Sequence, residues 1–82
     1  MKYKMHVKEI DHQTNYPLDV LSGLTGLGQH TIAELADQGR FAIHEEGGQK
    51  TVNGQEFLSW AESVNNIVEV EETQYSSKKV NE

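Results

Sequence analysis

The chain has 82 residues and no cysteine, the size of one small domain, which excludes a two-domain enzyme, a disulfide framework and a thiolate zinc site. Seven Lys and Arg face thirteen Asp and Glu, a formal charge of -6, which repels phosphate at long range and argues against sequence-independent coating of nucleic acid. With 35% hydrophobic and 7% aromatic residues, the core must be small and its stability modest.

Taken in chain order, residues 2–8 alternate, with Tyr3, Met5 and Val7 on one side and Lys2, Lys4, His6 and Lys8 on the other. That period of two predicts a half-buried strand. A polar linker follows over residues 11–15, and Pro17 has the fixed φ suited to the first turn of a helix. Leu18, Leu21 and Leu24 share one face of that helix; Gly23 weakens it by about 1 kcal/mol relative to Ala, and Gly26 suits its end. After a turn of three or four residues, Gly28 can cap a second helix, with Ile32, Leu35 and Ala36 as its apolar stripe and Gly39 as its stop. Residues 41–45 and 50–52 flank Glu46-Gly47-Gly48-Gln49 as two extended runs joined by a short connection, a hairpin.

Asn53 is a good cap for a third helix carrying Phe57, Trp60, Ala61 and Val64 at i, i+3, i+4 and i+7. Residues 68–72 alternate again and are expected to pair with the first strand or with its equivalent in a second chain, setting Glu69 and Glu71 near Lys2, Lys4 or Lys8. The polar tail from about Ser76 is expected to be disordered. The chain thus divides into an N-terminal strand and linker (1–15), a central domain (16–66) and a strand with tail (67–82). The expected core is Leu21, Leu24, Ile32, Leu35, Phe41, Val52, Phe57, Trp60 and Val64.

Helix, short turn, helix, hairpin, helix is the layout of a winged helix-turn-helix, an α+β fold of three helices and a two-stranded wing. Over residues 16–61 the sequence resembles the MerR-like, excisionase-type DNA-binding domains. Leu24-Thr25-Gly26 stands at the turn, Thr31-Ile32 inside the second helix, Gly39-Arg40-Phe41 before the wing and Trp60 in the helix after it. The resemblance implies a small DNA-binding accessory factor acting in DNA recombination or transcription regulation of a phage or mobile element. Its second helix would lie in the major groove and its wing along the backbone. Gln29 can pair with adenine, His30 can donate to a phosphate or to guanine, Thr31 can contact backbone, and Arg40 and Lys50 would hold phosphates. Arg40 has an equal claim as a structural partner of a helix C-terminus. The expected partner is double-stranded DNA, joined by a recombinase or a second copy of the chain.

The sequence departs from those families where Glu34 and Asp37 replace residues that are often basic. Over residues 18–64, seven acids face only Arg40 and Lys50, a balance of -5. The alternative is therefore an acidic protein-interaction module that reuses a MerR-like fold and binds a basic partner through Glu34 and Asp37. No enzyme is expected. His6, His12, His30 and His44 are scattered without metal-ligand spacing, no G-x-S-x-G elbow occurs, and Gly23, Gly26 and Gly28 do not follow a strand as a dinucleotide fingerprint requires. Too little chain remains for a substrate pocket of about 300 Å³ or more. Neither a cofactor nor a metal nor a small-molecule substrate is expected. Apolar runs of two or three residues cannot span a bilayer, and no leader pattern opens the chain, so it is expected in the cytoplasm.

Overall fold

A computed structural model describes residues 1–70. In chain order its elements are β1 (Lys2–Lys4), β2 (Asn15–Pro17), α1 (Leu18–Thr25), α2 (Gln29–Asp37), β3 (His44–Glu46), β4 (Gln49–Asn53), α3 (Gly54–Ser63) and β5 (Ile67–Glu69). Two antiparallel sheets result, a ribbon β1-β5 and a three-stranded sheet β2-β4-β3. The fold is therefore α+β. Glu71, Glu72 and the tail from Ser76 lie outside the described residues.

The first strand is shorter than residues 2–8. Its alternation persists, with Met5 buried and Val7 half-buried, but after Lys4 the backbone leaves the ladder. Met5 N–H donates to the Asn66 carbonyl at 2.7 Å and His6 N–H to the Thr25 carbonyl at 3.3 Å. Within the chain, β1 pairs β5 with Lys2 opposite Glu69, Tyr3 opposite Val68 and Lys4 opposite Ile67. Asn65 and Asn66, at φ of 57° and 63°, make the left-handed reversal that returns the chain from α3 to β5; Asn tolerates that conformation better than most residues.

Residues 15–17 form a strand, where a linker and a first helical turn were expected. Tyr16 stands opposite Val52 and Pro17 opposite Thr51. β2 is an edge strand, so the missing N–H of Pro17 costs no central ladder bond. Extended at φ -59° and ψ 154°, Pro17 caps α1 instead of opening it. Asn53 Nδ2 donates to Asn15 Oδ1 at 2.9 Å, fastening the strand's outer end.

The turn between α1 and α2 is the three residues Gly26, Leu27 and Gly28. Thr25 organises it, donating its hydroxyl to the Leu21 carbonyl at 2.8 Å and accepting from Leu27 N–H at 3.1 Å. α2 ends with Gly39 N–H on the Ala36 carbonyl and Arg40 N–H on the Leu35 carbonyl, the paired bonds of a Schellman motif. The hairpin turn is Gly47-Gly48, with φ of +59° and +81°, as a type I′ turn demands. Asn53 caps α3 by accepting from Glu56 N–H at 3.2 Å. Gly54 then passes so close to the 11–14 loop that a Cβ would lie 1.9 Å from the Asp11 carbonyl oxygen.

Leu21, Ile32, Leu35, Phe41, Val52, Phe57 and Trp60 are buried as expected, while Leu24 and Val64 are only half-buried. Phe41, Phe57 and Trp60 form a triangle of tilted and edge-on rings with centroids 5.3–5.5 Å apart. Phe41 joins it from the loop before β3, not from an extended strand. Met5, Ile10, Val68 and Val70 belong to the same buried cluster, so the chain's two flanks help close one core. No helix among the described residues is long and apolar enough to cross a membrane.

Candidate nucleic-acid interface

Gln29 and His30 open α2 and are exposed. Their cap, Gly28, offers no side chain, so the first-turn amides of the helix receive no side-chain acceptor. His30 Nε2 lies 3.5 Å from Glu34 Oε2 one turn along, with both side chains largely in water. Such an exposed pair is weak and screened by salt, which leaves the imidazole free to change partner.

Thr31 corrects the expected contact set. It is only 4% exposed, and its hydroxyl is buried with no hydrogen-bond partner among the described residues. Thr31, Ile32 and Leu35 form the inward stripe of α2, so the rotation of the helix that presents Gln29 and His30 turns Thr31 into the core.

Arg40 and Lys50 are exposed and reach no carboxylate within ion-pair distance among the described residues. Arg40 lies beyond the far end of α2, which at 1.5 Å per residue puts it roughly 15 Å from Gln29 along the axis. Lys50 is on β4 directly opposite Glu45, so the hairpin's single lysine stands beside an acid. Glu46, the next acid, accepts from Asn15 Nδ2 at 3.3 Å. Glu34 and Asp37 are exposed on α2, and Asp37 lies in a last turn without any basic residue. No hydrogen bond or ion pair joins Gln29, His30, Arg40 and Lys50 into one cluster among the described residues; what they share is exposure.

Glu56 is a residue that sequence reasoning missed. Its Oε1 accepts from Ala42 N–H at 3.1 Å, and its Oε2 lies 3.3 Å from His44 Nε2, so one carboxylate ties the start of the hairpin to α3. The signal was present as Asn53-x-x-Glu56, the spacing of a capping box, but here the Glu reaches across to the loop. Beside it, Arg40, Phe41, Glu56, Ser59, Trp60 and Ser63 line an open cleft of about 520 Å³. It is open to solvent along its length, a surface depression and not an enclosed substrate pocket. Among the described residues, no group of three or more His, Asp or Glu could hold a metal ion.

No protein-family model, curated protein or solved structure matches this chain.

Proposed function

We propose that the chain is a small non-enzymatic DNA-binding factor built as a winged helix-turn-helix, with α2 in the major groove and the β3-β4 hairpin as a wing along the backbone. The observation that carries this reading is the succession of α1, a three-residue turn, α2 and a tight hairpin, with Gln29 and His30 presented to solvent at the start of α2. A recognition helix reads base edges from its N-terminal residues, and Gln and His are side chains that can do so. The resemblance of residues 16–61 to excisionase-type domains agrees with it. In this reading Gln29 and His30 specify sequence, Arg40 and Lys50 neutralise phosphates, and a recombinase or a second copy supplies further affinity.

The acidic surface supports a second reading. Glu34 and Asp37 are exposed, and a basic protein partner would bind them where DNA would be repelled. Binding of genomic duplex fragments at about 50 mM salt, where phosphate attraction is strong, separates the two. A DNA-binding factor retains specific fragments, alone or beside a recombinase, with a log-log salt slope of roughly -2 to -4. Complete absence of retention, together with a partner complex lost on charge reversal of Glu34 and Asp37, would establish the interaction module instead.

A further inference from the structure

We propose that the N-terminal segment carrying Lys2, Lys4 and Lys8 is a phosphate-contacting strip along the outward face of β1 and the loop after it, supplying the cations that the helix and hairpin lack. This rests on the DNA-binding reading. The described residues hold five Lys and Arg, and three of them fall within the first eight positions. Over residues 18–64 the balance is -5, so a protein that grips a polyanion has few other places from which to do it.

The geometry anchors the backbone of this segment at the turn before α2. Tyr3 Oη donates to the Thr25 carbonyl at 3.0 Å, and His6 N–H donates to the same oxygen at 3.3 Å. Gly26 has no room for a side chain, since a Cβ there would lie 1.9 Å from Tyr3 Oη and 3.7 Å from the His6 ring. Gly26 is three residues from Gln29, so their Cα atoms are at most about 11 Å apart.

With Tyr3 directed onto the turn, strand alternation puts Lys2 and Lys4 on the opposite, outward face. They are roughly 6.8 Å apart along the strand, comparable with the rise of two base pairs on one DNA strand. Both are exposed, and neither forms an ion pair within 4.0 Å among the described residues, although the charge of Lys2 helps to lower the Glu69 pKa. Glu69, opposite Lys2 in the register, is engaged by the Met1 ammonium, and Ile67 stands opposite Lys4. Edge lysines also guard against strand-to-strand aggregation, but that duty does not depend on DNA.

The test compares the full chain with K2Q/K4Q/K8Q and with K2R/K4R/K8R, using anisotropy on a labelled duplex selected from genomic fragments, from about 50 to 200 mM salt. The glutamine variant should bind more weakly at low salt, with the salt slope reduced in magnitude by about 3, from three contacts at roughly 0.9 each. The arginine variant should keep the wild-type slope. Circular dichroism melts should show all three chains folded. If the wild type binds and the glutamine variant keeps its slope, the strip is only an edge guard and the proposal fails while the DNA reading stands. A wild type that binds no duplex overturns the DNA reading and the proposal with it.

Discussion

Between residues 18 and 64 burial follows helical and hairpin periodicity, and the surface is acidic; in the β1-β5 ribbon burial follows an alternation of two, and the exposed face of β1 is basic. The body assembles its core from elements near one another in sequence, as when Phe57 and Trp60 of α3 close on Phe41. The ribbon places Met5 and Val68 in that same core by joining the chain's two ends. Local pattern therefore accounts for the body, while the ribbon depends on a contact across more than sixty residues. Charge divides the same way, so the region that shapes the proposed reading helix is not the region richest in cations.

The largest effect should follow from removing the body's aromatic anchor. Trp60→Ala should cost about 3–5 kcal/mol, a large share of the stability of a domain this small, measured by urea or thermal unfolding. Native stability in that variant would contradict the packing described.

Met5→Ala probes the ribbon. Because Met5 is 3% exposed within the shared cluster, the change should cost about 2–4 kcal/mol and lower the midpoint of the whole domain in one transition. A loss of protection confined to residues 1–8 in hydrogen exchange, with the body unmoved, would show two independent units instead.

Thr31→Val should act in the opposite direction. It replaces a buried hydroxyl without a partner, and relieving such a group should raise stability by up to about 1 kcal/mol. DNA affinity should be unchanged, since the side chain faces inward; a loss of affinity without a loss of stability would return Thr31 to the contact set.

The smallest effect concerns Glu69, whose carboxyl is held below its ordinary pKa of 4.5 chiefly by its hydrogen bond with the Met1 ammonium and by that group's charge. A carboxylate depressed on folding contributes stability that is complete above its unfolded pKa and disappears as pH falls through the folded value. A carboxyl chemical-shift titration should therefore give a midpoint below 4.5. The stability difference between wild type and Glu69→Gln, present at neutral pH, should vanish in acid. A midpoint at or above the ordinary value would detach the ribbon's end from Glu69.

Much of the body is legible in the residues because its signals are local. Asn53 marks a cap, Gly39 a stop and Gly47-Gly48 a hairpin turn, each through a backbone preference that acts within a few residues. β2 is not legible: three residues that include a proline carry no alternation, and only pairing with Val52 makes them a strand. Ile10 and Val70 are buried by long-range docking for the same reason. At the candidate site, the exposure of Gln29 and His30 agrees with their place at a helix start, whereas Thr31 misleads because a hydroxyl near a cap reads as polar until the phase of the Ile32 and Leu35 stripe is followed back to it. Glu56 escapes for a different reason, since a capping-box spacing does not reveal that its carboxylate serves Ala42 and His44.

Under the proposed function, the start of α2 reads DNA sequence. Enrichment of bound duplexes from a random library by the wild type, by Gln29→Ala and by His30→Ala tests it most directly. The wild type should enrich a defined motif, and each variant should show a changed or relaxed base preference at one or two positions, at unchanged stability. Enrichment of no motif by the wild type, or of an identical motif by all three proteins, would contradict it.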